Sequence, residues 1–552
     1  MREPRLARML GAVAVATIPW AAHAVTFDGE TISGDFTSTI STGFGMRTRN
    51  PSSEFLSVGN TSSRPGQMDP VAGYGDQGDL NYGRGDLFTA YVKGTHELMV
   101  KLPEQVTFMG RVNWLRDFAS TRTTGDLAAG SLGNPAVGSD GLTDDARKDL
   151  RFKARVADLW VSKSFTLGGQ SARVRLGNKV ISWGESLFIP GGINSTNAVD
   201  IMRLSQPGTQ LKEAVLPAPI ASFATGLGHG LNIEAYVQSR WNRSYMPPVG
   251  SYWSQTHVLG NGMDSYGADA VQPSKKTGQW GVSLRWQPES IPASFGLYAM
   301  NYHDKTPQVS TADFLAGGSR LKWEIPTDRK LYGVSANMPL GDWAIGTELS
   351  FRPKDAVALN SLFGCTSQNG HCWVDEKRYQ WHLTGLLSLT PSNARGLLGL
   401  LGADGGTFLS ELAVIRYSGL KGDYNGDPVS AGGWSWGNEY DMTNPALAKT
   451  VGTRISSGLS ADLSIVYDGS IIPGWQVVPE IFYSRAISGY TPNLGATFMK
   501  GAQSANLIVS LMQNPLKWQF GLNYAKFWGG KELLAQGFRD RDFVGGYVSF
   551  NF

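Results

Sequence analysis

The chain has 552 residues, a formal charge of +3 and only 17 % charged residues, so nothing in its electrostatics selects nucleic acid or any strongly acidic or basic partner. Two cysteines exclude a disulfide-rich scaffold, and no stretch past the amino end offers 18 continuous apolar residues, so a membrane helix is not expected. The content of 17 Trp, 19 Tyr, 24 Phe and 68 Gly with a mean hydropathy of −0.19 suits strands wetted on one face and greasy on the other.

At the amino end, Arg2, Arg5 and Arg8 precede an apolar run from Met9 to Trp20, and Ala22-His23-Ala24 follows as a small-x-small cleavage site. Residues 1–24 therefore read as a secretory signal, with 25–552 as one exported domain close to neutral. A soluble chain of this length would split into domains, yet no linker-like shift of composition, heptad run or solenoid period is present.

Period-two alternation recurs from Ser33 onward. Trp280, Val282, Leu284 and Trp286 alternate with Gln279, Gly281, Ser283 and Arg285, and Leu459, Ala461, Leu463 and Ile465 alternate with Gly458, Ser460, Asp462 and Ser464. A helix would scatter both sets around its circumference. Weaker segments, among them 33–48, 85–100, 171–181, 212–224 and 406–418, bring the expected count to about 18. Every second connection is short, as at 102–104, 226–228 and 514–516, and the others are long and polar, which is the asymmetry of inner turns and outer loops. The inner connection 391–406 is longer, and its apolar run Leu397–Leu401 is expected to form a short interfacial helix. The expected fold is all-β: a single transmembrane, antiparallel up-and-down β-barrel of about 18 strands (16–18), with long outer loops and one inward-folded loop carrying a short helix.

That inward loop is 182–211. Trp183, Leu187, Phe188, Ile189, Ile193, Val199, Ile201, Met202 and Leu204 have little reason to sit in an outer loop left in water. Pro190-Gly-Gly192 reads as a turn, and Ser195 or Asn197 as the cap of a helix through Leu204 that ends before Pro207-Gly208. Folded against the wall, the segment leaves Trp183, Glu185, Asp200 and Arg203 as constriction candidates.

On the face opposite the apolar one, Arg47, Arg111, Arg173, Arg175, Arg285 and Arg352 point inward, with Asp158, Glu234, Glu348, Asp462 and Glu480 among them. Two readings stand: a salt-bridged wall that stiffens the barrel, or a polar path whose opposed charges orient a solute. No Ser-His, paired-carboxylate or metal-ligand constellation is legible, so neither a catalytic residue nor a metal or other cofactor is expected, and His382 reads as a wall histidine bonded to its neighbours. Cys365 and Cys372 are expected to form a small outer-loop disulfide. The aromatic outer loops Trp241–Trp253 and Trp434–Tyr440 read first as girdle or loop packing, and second as a place for a greasy ligand at the mouth.

The last stretch, Asp542 to Phe552, alternates to its end, with Val544, Val548, Phe550 and Phe552 on one face and Tyr547, Ser549 and Asn551 on the other. It reads as the closing strand, and Tyr547, Phe550 and Phe552 as its assembly signal, with outer-membrane lipid, lipopolysaccharide and the barrel-assembly machinery as partners.

Trp183-Gly184-Glu185, Gly192-Ile193-Asn194, Val199-Asp200, Leu204 and Leu211-Lys212-Glu213-Ala214 resemble the signature region of an outer-membrane family catalogued as domain of unknown function 1302, in which the last motif forms a strand. The resemblance covers essentially the whole chain after the signal. It implies a large exported barrel, in company with a periplasmic lipoprotein-like partner and an inner-membrane pump, and passage of hydrophobic compounds. It implies no catalytic residues. The expected function is an outer-membrane channel or substrate-binding barrel for small hydrophobic or amphipathic compounds. The alternatives are an outer-membrane enzyme of esterase or phospholipase type and a surface adhesion or structural barrel.

Overall fold

Alternating sequences of this kind have one way to satisfy every backbone group beside lipid, which is to close the sheet on itself. A computed structural model shows that closure. It describes residues 25–52, 77–123, 142–254, 260–262, 275–310, 322–359, 370–430, 452–493, 497–530 and 536–552, with isolated positions between them. The expected signal, residues 1–24, and the aromatic trio Trp434, Trp436 and Tyr440 lie outside the described residues.

Eighteen antiparallel strands form the barrel: β1 (Ser33–Arg47), β2 (Leu87–Leu102), β3 (Val106–Asp117), β4 (Phe152–Leu167), β5 (Gln170–Lys179), β6 (Ala218–Gly228), β7 (Leu231–Gln238), β8 (Gln279–Trp286) and β9 (Ser294–Tyr302). The second half comprises β10 (Arg329–Leu340), β11 (Trp343–Ala358), β12 (Trp373–Leu389), β13 (Gly405–Tyr417), β14 (Ile455–Asp468), β15 (Trp475–Ser488), β16 (Ala502–Gln513), β17 (Trp518–Gly529) and β18 (Phe543–Asn551). Each strand pairs with its sequence neighbours. The seam closes β1 on β18 in the register Thr39↔Asn551 to Arg47↔Phe543. A short strand, Val25–Asp28, folds back on the start of β1.

Connections alternate in length. Those at one end, such as 103–105, 229–230 and 341–342, span at most seven residues except 390–404, which carries a helix at Arg395–Leu401. We call this the short-turn end. Leu398 of that helix packs on Leu389 and Ile465 of the barrel, while Leu400 on its other side is 84 % exposed.

The outer face is apolar in rows. Leu297, Val334, Leu349 and Trp381 stand side by side on β9 to β12, and all are exposed. Aromatic pairs border the rows: Tyr332, Phe351 and Tyr379 toward the long-connection end, and Trp286–Phe295, Trp343–Phe408 and Trp518–Phe550 toward the short-turn end. Such belts place amphipathic rings at the two edges of a hydrocarbon layer.

Three buried apolar clusters lie inside the ring, where the long connections fold inward. One joins Ile181, Trp183 and Ile193 to Tyr236, Tyr298 and Met300 on the wall. A second packs Ile189, Val357, Ala413, Ile415 and Phe498 around the Cys365–Cys372 disulfide. The third gathers Tyr82, Phe88 and Phe543 with Tyr252 and Trp253 of the 239–278 connection, which therefore crosses from β7 to β1, β2 and β18. Beneath that crossing Arg47, Asp79, Asp540 and Arg541 form a solvent-excluded ion cluster. Arg47 thus belongs to this clamp at the mouth and not to an open wall.

The structure corrects one strand expected at 212–224. Leu211–Ala214 is a single helical turn, Val215–Leu216 pairs with Ala198–Val199, and the barrel strand starts only at Ala218. Helical phasing turns Glu213 and Ala214 inward together, so the Leu-Lys-Glu-Ala motif packs as a turn where the family resemblance implied a strand.

Candidate functional site

The 180–217 connection leaves β5 and lies along the inner wall in two lobes, tied at their base by the Ala198–Val199 and Val215–Leu216 pairing. In the first lobe, residues 183–196, Trp183 packs on Tyr236 of β7 and Tyr298 of β9 at 5.2 and 5.8 Å between ring centroids. Its indole N–H donates to Glu234 at 2.9 Å. Burying an aromatic side chain of this size is worth about 2–3 kcal/mol.

Two wall carboxylates grip the lobe by its backbone. Glu348 of β11 accepts from the N–H groups of Glu185, Ser186 and Ile193, the last at 2.8 Å. Glu411 of β13 accepts from Leu187, Phe188 and Ile189, the last at 2.9 Å. Both carboxylates are fully buried, a state that is expensive unless their oxygens are saturated with donors. Gly192 makes this approach possible: a Cβ there would stand 2.0 Å from Glu348 Oε1. Gly184 holds φ at +92°, the left-handed region that glycine tolerates without cost.

Behind Glu411 the bonding continues through β12. Gln380 donates from its amide nitrogen to the Pro190 carbonyl at 3.0 Å and to His382 Nε2 at 2.8 Å, while its oxygen accepts from Arg378. With Nε2 accepting, the ring proton sits on Nδ1 and donates to Glu411 Oε1 at 2.6 Å. His382 is therefore a buried wall histidine, as its alternation implied. Arg352 completes the grip, donating to the carbonyls of Gly191 and Gly192 and to Ser195 Oγ.

The second lobe, residues 200–214, lies on the other side of the interior. Asp200 caps the single turn Ile201–Leu204 through the Arg203 N–H at 3.1 Å and pairs with Arg155 of β4. Neither Ser195 nor Asn197 is that cap: Ser195 is taken by Arg352, and Asn197 by both backbone groups of Ile181. Lys93 of β2 donates to Glu213 and to the Gly208 carbonyl, both at 2.7 Å, and Tyr91 donates to the Pro207 carbonyl. Lys212 reaches Glu97 of β2 at 2.6 Å.

The residues singled out from sequence fall into two groups. Trp183, Asp200, Glu348 and Arg352 are buried and pin the lobes to the wall, and Arg203, also buried, pairs with Glu213 inside the second lobe. The expectation that Trp183, Asp200 and Arg203 line an opening is corrected on that ground: stacking and ion pairing consume them. Glu185 is half-buried and accepts from Asn337 and Ser335. Burial pushes its carboxyl above the ordinary carboxylate range, against the pull of those bonds. The second group remains partly exposed on the wall. Arg111 pairs with Glu97 and Asp158, Arg175 stacks on Trp160 at 4.0 Å, and Arg173 and Arg285 flank one cavity near the short-turn end. Asp462 and Glu480 are diagonal neighbours on β14 and β15, nine strands round the ring from the β5 arginines.

Sequence reasoning missed Glu411, Lys93, Arg155 and Glu213. The inward face of β13 reads Leu409, Glu411, Ala413, Ile415, Tyr417, with a charge lost among apolar residues. Lys93 offered a usable signal, because it alternates with outward-facing residues of β2, and so did Glu213 within its motif.

An eighteen-stranded barrel, apolar outside and crossed inside by a two-lobed segment, defines the class. The chain belongs to the family described as Protein of unknown function (DUF1302), whose profile matches residues 5–552. No curated protein sequence matches it. Among solved structures it is similar to Acinetobacter baumannii OccAB1 (10 % identity, TM-score 0.43, covering 94 % of this chain and 96 % of that one). It is also similar to a BenF-like porin from Pseudomonas fluorescens Pf-5 (10 %, 0.39, 94 % and 98 %) and to Pseudomonas aeruginosa OpdK with vanillate (12 %, 0.37, 94 % and 98 %).

Proposed function

We propose that the protein is an outer-membrane channel that admits a small amphipathic solute past the two-lobed segment. The observation that carries this reading is the contrast between the faces of one closed sheet. The outside offers continuous apolar rows between aromatic belts, and the inside offers partly exposed charges of opposite sign on opposed walls. A barrel meant only as a rigid anchor gains nothing from uncovered charge in its interior, whereas a path uses it to orient a solute. The lobes supply apolar surface as well: Leu187, Leu204 and Leu211 are exposed on a segment that packs against the inner wall. A solute with one polar end and one apolar end matches both kinds of surface.

Liposome swelling tests the proposal. Vesicles containing the full-length protein should swell in small amphipathic solutes and exclude solutes too large for a lumen narrowed by the lobes. Swelling rates no faster than those of protein-free vesicles, with the barrel shown to be folded by heat-modifiable mobility, would defeat it.

A further inference from the structure

Among the described residues, most inner-wall cations are paired, while Arg175 stacks on Trp160. Arg111 has Glu97 and Asp158, Lys93 has Glu213, Arg155 has Asp200, and Arg378 has Asp355. Arg173 of β5 and Arg285 of β8 differ: both are exposed to the interior, and neither forms an ion pair among the described residues. They line one cavity of about 300 Å³. The register places Arg173 opposite Ala224, Ala224 opposite Glu234 and Glu234 opposite Ser283, so the two guanidinium groups reach in from strands on either side of β6 and β7.

Glu234 is the acidic residue in the lining, and it is already engaged. It accepts the Trp183 indole N–H and lies 3.9 Å from Lys179. The cavity therefore carries a net positive charge, with Ser164, Ser171 and Ser283 as neutral hydrogen-bonding groups and Ala224 as its inward apolar side chain. A fork of planar donors selects a carboxylate over a halide or a neutral amide. A volume at the lower end of the range for small-molecule sites limits the remainder of the molecule to a short body. Trp183 touches Glu234 and also approaches Gly281, one step further from the short-turn end. The first lobe thus borders the cavity on the side from which a solute passing the segment arrives.

The geometry points to a binding site for a small organic monocarboxylate held between Arg173 and Arg285 on the short-turn side of the first lobe. The assignment rests on the channel reading for the solute's route, while binding itself is measurable without transport. The test is calorimetric titration of the detergent-solubilised full chain with hexanoate, hexanamide and inorganic phosphate. Hexanoate should bind at least tenfold more tightly than either of the others, and R173Q/R285Q should weaken hexanoate at least tenfold while keeping heat-modifiable mobility. Equal binding of acid and amide, phosphate as tight as hexanoate, or a folded double variant with undiminished affinity would each overturn it. Should the double variant fail to fold, the three-ligand comparison on the unaltered protein still decides. Vesicles that fail to swell alongside a positive titration defeat the channel and leave the site. Swelling without preference for hexanoate in the titration defeats the site alone.

Discussion

Glu348 and Glu411 show how single residues hold a loop where loops do not ordinarily stay. Each offers a buried carboxylate to three backbone N–H groups of the first lobe, so the lobe's amides are satisfied by the wall and not by water. Glu411→Ala orphans three donors, at about 1–3 kcal/mol each. Amide hydrogen exchange at Leu187, Phe188 and Ile189 should accelerate at least tenfold in that variant, with β13 itself unchanged; unaltered exchange would show that Glu411 does not hold the lobe. Part of this arrangement was legible. Glu348 and Arg352 stood out because β11 alternates cleanly, and the apolar content of 182–211 said that it could not lie in water. Which wall residues receive which amides was not legible, because it depends on strands far apart in sequence meeting across the interior.

At the scale of elements, the long stretches were readable because a strand's period of two persists through eight or more residues, and the alternation of short and long connections checked their number independently. The failures were short elements. Leu211–Ala214 reads as strand from its motif yet forms one helical turn, and the helix at Ile201–Leu204 is shorter than its expected span, since four residues carry too little pattern against tertiary packing. The seam makes its own prediction. Ser38 and Phe552 exchange both backbone hydrogen bonds, at 2.7 and 2.9 Å, and Phe552 packs on Phe550, which packs on Trp518. Replacing Phe552 with Ser removes the packing that holds this last pair, and should lower the yield of heat-modifiable, membrane-extracted barrel several-fold. Yields equal to those of the unaltered protein would count against a role for this ring in closure. The Cys365–Cys372 disulfide closes a loop with a sequence separation of 7, for which chain entropy allows roughly 2–3 kcal/mol at most. A C365A/C372A variant should accordingly lose solvent protection in the cluster around Ile189 and Val357, read by hydrogen exchange. Full protection there would mean that packing alone secures that cluster.

In the whole molecule the barrel closes a ring, and the 180–217 segment lies along its inner wall; under the proposed channel function, that segment narrows the path. The lobes meet the wall at β2, β4, β7 to β13, β15 and β18. The most direct measurement is single-channel conductance in planar bilayers, comparing the intact protein with a variant in which Phe188 to Gln206 is replaced by a short Gly-Ser linker. The intact barrel should show a small conductance and the variant a step at least several-fold larger, with its folding verified by heat-modifiable mobility. Equal conductance in the two proteins would contradict this narrowing, because a segment that narrows the path cannot be removed without widening it.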